Sequence, residues 1–256
     1  MTYRLTNILF SILLGIVAVA DWQMDVPFFL YGILALLYLL IVGHGTLFIS
    51  AQFFIKTHCR ATQVSNSIVL TFDDGPAGAK TSSVLNTLRE HGVKATFFCI
   101  GKNIKAFPEL TKQINSEGHL LANHSYHHGY FFDLQSSKKI IDELAETNKA
   151  IEESIGKTPR FFRPPYGVIN PMVAKAIQAM NLLTIGWSVR SFDTLSKEKN
   201  ALVARILKNL KGGDIILLHD RCDITIQVLP ELLRKIKESG FIIEPLDKLL
   251  GEKAYL

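Results

Sequence analysis

Four side chains open a chemical reading of this chain. Asp73 and Asp74 are adjacent at the end of the apolar run Ser67-Ile-Val-Leu-Thr-Phe-Asp-Asp-Gly-Pro76, and His124 and His128 follow about fifty residues later in His124-Ser-Tyr-His-His128. Asp74 with the two imidazoles offers one carboxylate and two nitrogens, a set that suits a divalent metal with an open coordination position. Asp73 is left over as a carboxylate able to act as a base, and base plus metal is the minimum equipment for metal-assisted hydrolysis. Each piece alone has a plainer reading. Asp-Asp-Gly-Pro favours a strand-ending turn, and two histidines spaced i, i+4 face one way within a helical turn. Their order, strand and turn followed by the pair, favours the metal.

The elements that must position these groups alternate along the chain. Short apolar runs predict strands at 68–72, 95–100, 119–123, 160–163, 182–187, 214–218 and 241–243. Helical patterns fall between them at 81–91, 108–117, 136–155, 170–180, 198–210 and 227–239. Strands joined through helices pair in parallel by right-handed crossovers. An open doubly wound sheet and an α/β barrel both fit that order. The chemistry decides, because candidate residues end most of the strands: Asp73 and Asp74, His124, Arg163, Trp187 and His219. A ring of strands converging on one site explains this better than a crevice in an open sheet. The expected fold is therefore α/β, a distorted (β/α) barrel of about seven parallel strands.

Five segments in order carry a further signal: Thr71-Phe-Asp-Asp-Gly-Pro76, His124-Ser-Tyr-His-His128, Arg163-Pro-Pro-Tyr166, Trp187-Ser-Val-Arg-Ser-Phe-Asp193 and Ile216-Leu-Leu-His-Asp220. Together they resemble the ordered motifs of the polysaccharide deacetylases, carbohydrate esterase family four with its NodB-homology domain, over about residues 65 to 250. The resemblance implies a distorted β/α barrel and a carbohydrate N-deacetylase. It implies Asp73 as catalytic base, with Asp74, His124 and His128 as metal ligands. Arg163 matches the arginine that holds the base, and the backbone N–H of Tyr166 the oxyanion donor. His219 matches the general acid and Asp193 the aspartate that orients it. Leu217 matches a wall of the acyl pocket, and Pro165 is expected beside it at the substrate.

These roles are physically coherent. A metal there polarises the acyl carbonyl and acidifies a water, and an arginine beside Asp73 favours its ionised form. An amine leaves badly unless protonated, so His219 must be an imidazolium when the C–N bond breaks, a form that Asp193 favours. Two positions depart from the family pattern, Arg190 and Thr194 standing where many relatives have aspartate and tryptophan. Arg190 either pairs with Asp193 or meets a phosphate on the substrate, and Thr194 removes an apolar wall. The metal best suited to Asp plus two His is zinc, with other first-row divalent ions possible. His127, His44, His58, His91 and His119 are expected to be bystanders or structural. Met172 and Met180 are expected to fill the core.

Composition bounds the rest. The chain has 256 residues and a net charge of +5, and removing Arg4, Asp21 and Asp25 with residues 1–55 leaves +6 spread over the remainder. No basic patch with interleaved aromatics stands out, so no nucleic-acid partner is expected. Three scattered cysteines, Cys59, Cys99 and Cys222, suggest neither a disulfide framework nor a zinc knuckle. Residues 1–55 hold two apolar stretches, 5–20 and 26–49. At about 1.5 Å per residue they reach roughly 24 and 36 Å, against a hydrocarbon core of about 30 Å. One or two transmembrane helices are expected, as a hairpin turning at Asp21-Trp-Gln-Met-Asp25, with residues 56–256 as the catalytic domain. Arg4, Lys56 and Arg60 flank the hairpin and its turn carries no base, so the positive-inside rule places the domain in the cytoplasm of a bacterium. A single anchor would export it instead. The expected partners are membrane lipid and an amino-sugar glycan or lipid-linked sugar. A glycosidase fits adjacent carboxylates poorly, and a glycan-binding module with a vestigial site is the non-enzymatic alternative.

Overall fold

The structure is a computed structural model that describes residues 2–62 and 66–256. Two helices lead, α1 (Tyr3–Met24) and α2 (Phe29–Leu47). The barrel follows as β1 (Thr57–His58), β2 (Ser67–Asp73), α3 (Ala79–Glu90), β3 (Thr96–Cys99), α4 (Gly101–Ala106), α5 (Pro108–Ser116), β4 (Leu120–Asn123), α6 (Ser137–Ile155) and β5 (Phe161–Phe162). It is completed by α7 (Pro171–Ala179), β6 (Leu183–Ile185), β7 (Val189–Arg190), α8 (Lys199–Leu207), β8 (Ile215–His219), α9 (Asp223–Glu238), β9 (Ile242–Ile243) and α10 (Leu246–Leu250).

The strands lie in the order β1-β6-β5-β4-β3-β2-β8-β7, with β9 also on β2, and every ladder between them is parallel. Only Gly186, Trp187 and Ser188 separate β6 from β7. One stretch of chain therefore pairs with β5 through its first half and with β8 through its second, and the sheet curls into the expected distorted barrel. All seven expected strands are present. The two short additions, β1 and β7, carry too few residues to show a hydrophobic period. For the same reason α4 and α10 went unpredicted. Helix α9 begins at Asp223 rather than 227 and runs through Pro230.

Side-chain parity organises the barrel, since alternate residues of a strand face opposite sides. Along β2, Ile68, Leu70 and Phe72 join the layer packed under α3, α8 and α9. Val69 instead joins Phe98, Ala122, Phe161, Ile185 and Ile215 in the interior cluster, which Leu246 and Leu249 of α10 close. Continuing each inward series by two or four residues reaches Asp73 from Val69, His124 from Ala122, Arg163 from Phe161 and His219 from Ile215. The fold therefore points four of the candidate residues into one end of the barrel.

Helices α1 and α2 form a hairpin, tied by hydrogen bonds from Tyr38 to Asn7 (2.9 Å) and from Tyr31 to Asp21 (3.1 Å). Their 22 and 19 residues span about 33 and 28 Å, and both are long and apolar enough to cross a membrane. The turn lies one step later than predicted. Helix α1 continues through Trp22 to Met24, Asp25 takes a left-handed conformation (φ 50°), and Asp21 accepts the Val26 N–H at 2.9 Å. Met172, expected in the core, is instead exposed, whereas Met180 does pack on it.

Candidate active site

The carboxyl ends of the strands surround a cleft of about 480 Å³. Asp73, Asp74, His124, His128, Tyr166, Arg190, Leu217 and His219 all line it, with Trp187, Phe192 and Thr194. Trp187 and Phe192 supply apolar wall beside Thr194. One expected substrate residue does not line the cleft: Pro164 does so instead, while Pro165 is buried.

Asp74 Oδ1 lies 3.5 Å from Nε2 of His124 and 3.5 Å from Nε2 of His128. Three ligand atoms within 4.8 Å of one another fit one small ion. Ligands about 2.0–2.1 Å from a tetrahedral ion sit roughly 3.3 Å apart, close to the two Asp74–histidine separations of 3.5 Å. Two further observations support the fit. Asp74 Oδ1 is buried without a hydrogen-bond partner among the described residues, which is costly unless something else coordinates it. His124 Nδ1 lies 2.7 Å from the Arg163 carbonyl, which only an N–H can satisfy, so the Nε2 lone pair faces the cleft. Burial, reinforced by His124, pushes the His128 imidazole down to about 4, leaving it neutral as a ligand must be. Burial alone would raise the Asp74 carboxyl, but His124, His128 and Arg221 together hold it far below the usual range.

The histidine pair does not lie on a helix. The segment is a tight loop with Ser125 (φ 62°) and His128 (φ 53°) left-handed. Asn123, facing out from β4, accepts the Ser125 N–H at 2.9 Å, and Glu143 of α6 accepts the N–H groups of Tyr126 and His127 at 3.2 Å. Asp74 (φ 74°), Tyr166 (φ 59°) and Phe192 (φ 58°) are left-handed too. Non-glycine residues rarely adopt this region, and such strain concentrates at functional sites.

Two charge pairs flank the triad. Arg163 is wholly buried, stacks on Phe98 at 4.1 Å and donates to Asp73 Oδ1 at 2.7 Å. Its other bonds reach the Thr71 hydroxyl (2.7 Å) and the carbonyls of Ile185 (3.3 Å) and Gly186 (2.8 Å), so one guanidinium ties β2 to β6. On the other side, His219 Nδ1 lies 2.7 Å from Asp193 Oδ1. Asp193 also accepts from the Thr225 hydroxyl (2.6 Å) and the His219 N–H (2.7 Å). Burial disfavours the imidazolium of His219, but the hydrogen bond and charge of Asp193 outweigh it and raise the pKa. Arg190 does not pair with Asp193. It lies exposed over the rings of Trp187 (5.7 Å) and Phe192 (4.8 Å).

Sequence reading missed Arg221, whose Nε donates to Asp74 Oδ2 at 2.7 Å and leaves Oδ1 for the cleft. Asp220, which closes the fifth motif but was given no role, accepts from Thr81 at 2.5 Å. Burial and the charges of Asp74 and Asp73, only partly offset by Thr81, push the Asp220 carboxyl up to about 7. Both stand within two residues of His219, the signal that was available for Arg221.

The chain matches the polysaccharide deacetylase family over residues 60–185. The peptidoglycan-N-acetylglucosamine deacetylase PgdA of Listeria monocytogenes is 36% identical over 191 residues, 75% of this chain but only 40% of that protein's length. The chitooligosaccharide deacetylase of Azorhizobium caulinodans is 32% identical over 202 residues, covering 73% of this chain and 96% of that one. The crystal structure of the Bc1960 peptidoglycan N-acetylglucosamine deacetylase superposes with a TM-score of 0.73 at 28% identity, over 77% of this chain and 93% of that one. This chain belongs to the polysaccharide deacetylase family, carbohydrate esterase family four.

Proposed function

We propose that the chain is a membrane-anchored, metal-dependent hydrolase that removes an N-acyl group, acetyl in first place, from an amino sugar of a glycan or lipid-linked sugar. The observation that carries this reading is the convergence on one cleft of Asp74, His124 and His128 with two differently partnered groups, Asp73 on Arg163 and His219 on Asp193. The names of the relatives, which concern N-acetylated glycans, support it. A zinc ion on the triad would acidify a water and polarise the acyl carbonyl. Asp73, held by Arg163, takes the proton of the attacking water. The Tyr166 N–H, at the strained turn, donates to the developing oxyanion. His219, charged with the help of Asp193, hands its proton to the departing amine. Trp187, Phe192 and Leu217 shape the acyl pocket. Residues 1–55 serve as the anchor and 56–256 as the catalytic domain.

The test is acetate release from N-acetyl chito-oligosaccharides by the metal-stripped protein before and after zinc addition. A glycan-binding module would release none, and a glycosidase would free reducing ends instead. Within this assay His219→Ala should slow amide cleavage at least about tenfold more than cleavage of an activated acetyl ester, whose leaving group needs little protonation. Asp193→Asn should lower the His219 pKa, because it removes the charge that raises it. The alkaline limb of amide hydrolysis should then move to lower pH. Equal losses on both substrates and an unmoved limb would remove the general-acid role.

For topology we adopt the hairpin with both ends and the catalytic domain in the cytoplasm, on the strength of Arg4, Lys56 and Arg60 at its base. Trp22, exposed near the tip, then lies on the outer side. A Trp22→Cys variant lacking the three native cysteines should react with a membrane-impermeant maleimide in intact cells. Labelling only after lysis would reverse the orientation.

A further inference from the structure

The base of the hairpin is built into the active site. Helix α2 reaches the length of a hydrocarbon core by Leu47, which sets the residues around Thr46 at headgroup level. There the Thr46 carbonyl accepts the N–H of Ile169 at 3.1 Å. Ile169 follows Tyr166 by three residues, so even with the chain fully extended the cleft-lining tyrosine lies within about 11 Å of the residue that bonds the membrane helix. The join is packed on both sides. Tyr3 at the start of α1 donates its N–H to the Phe53 carbonyl (2.9 Å) and its ring meets Phe54 at 4.9 Å. Ile49 shares one apolar cluster with Phe132, Phe162, Ile169 and Val173. The bilayer surface therefore passes close to the mouth of the cleft.

The residues displayed there match such a surface. The segment around buried Phe132 is held to the Ile169 loop by the Asn170 side chain, which donates to the Asp133 carbonyl at 2.5 Å. It shows Tyr130, Phe131 and Leu134 at 84, 72 and 73% exposure, with Met172 exposed nearby. Tyr130 stacks on Tyr166 at 6.0 Å, linking this apolar shelf to the cleft. Interfacial tyrosines and inserted apolar side chains are what a membrane-seated surface uses. Arg190 lines the same cleft and is exposed, lying over Trp187 and Phe192, and no carboxylate pairs with it among the described residues.

We infer that the shelf formed by Tyr130, Phe131, Leu134 and Met172 seats in the lipid interface, and that the cleft takes its amino sugar from a membrane lipid carrier rather than from a free polymer. Arg190 meets the phosphate that joins sugar to lipid. The inference rests on the N-deacylase reading and on the hairpin as a membrane anchor, and it explains why an unpaired cation and an apolar shelf adjoin one cleft.

Two measurements on the full-length protein in vesicles of phosphatidylethanolamine and phosphatidylglycerol test it. In Phe131→Trp, the emission added over the parent should be quenched by lipids brominated high on the acyl chain and shielded from aqueous iodide. Iodide quenching without bromolipid quenching, or shielding from both as under a protein partner, would overturn the seating. The second measurement compares acetate release from a soluble chito-oligosaccharide and from polyprenyl-phosphate N-acetylglucosamine in the same vesicles. Phe131→Ser with Leu134→Ser should leave the soluble rate within about twofold and lower the vesicle rate about tenfold or more, given what two partly inserted side chains contribute. Equal effects on both substrates, or wild-type activity on the soluble one alone, would sink the lipid-carrier assignment and leave the deacetylase standing. Acetate from neither substrate would remove the deacetylase reading and the carrier assignment with it, while the quenching result still decides the seating.

Discussion

Replacement of Asp74, His124 or His128 by alanine should leave a folded protein without bound metal and without detectable acetate release. Asp73→Asn should separate the two properties, keeping the metal and losing at least about a hundredfold in turnover, as expected for a lost general base. The distinction follows from the geometry. Asp74 Oδ1 faces both imidazoles at 3.5 Å, whereas Asp73 Oδ1 is engaged by Arg163 at 2.7 Å and its Oδ2 stands 3.7 Å from His124. Elemental analysis of the purified variants beside single-turnover assays checks both halves. Full metal occupancy in the His124 and His128 variants would abolish the proposed centre, and metal loss in Asp73→Asn would recast that carboxylate as a ligand.

The second large effect is expected on stability. Arg163→Met should cost about 3–5 kcal/mol, because it leaves the buried Asp73 carboxylate without its counter-charge. Arg163→Lys should rescue little, since one ammonium cannot reach Asp73, Thr71 and the Ile185 and Gly186 carbonyls in the fixed fork of a guanidinium. Urea titrations should show the double variant Asp73→Asn, Arg163→Met to be more stable than Arg163→Met alone, because the stranded charge has gone. Strict additivity of the two substitutions would mean that the pair is not coupled and that Arg163 acts through packing only.

Much of this arrangement was legible in the sequence, and parity explains why. Val69, Thr71 and Asp73 alternate with Ile68, Leu70 and Phe72 along a strand buried on both faces, so one side of an apolar run already carried the chemistry. The same alternation runs through Ala122 and His124, and through Ile215, Leu217 and His219. Loop conformation was not legible. The spacing of His124 and His128 suggested a helical turn, yet the rings converge through left-handed residues and bonds to Asn123 and Glu143, partners distant in the chain or on the opposite face. Arg221 escaped notice because its role depends on reaching Asp74 across 147 positions. Met172 sat at core spacing but falls at the exposed start of α7, where helical period cannot say which elements stand opposite.

The left-handed residues at the cleft carry a thermodynamic consequence. Asp74, Ser125, His128, Tyr166 and Phe192 each hold a conformation that costs roughly 1–2 kcal/mol, together comparable with the roughly 5–15 kcal/mol that separates a folded domain from its unfolded chain. Loops under that tension are the first to give way on warming, and an ion bridging two of them resists. Melting temperature therefore becomes a gauge of occupancy that needs no substrate. A titrant at a hundred times its dissociation constant adds about 2.7 kcal/mol to the folded state, and a catalytically dead protein such as Asp73→Asn should register that rise as clearly as the active one.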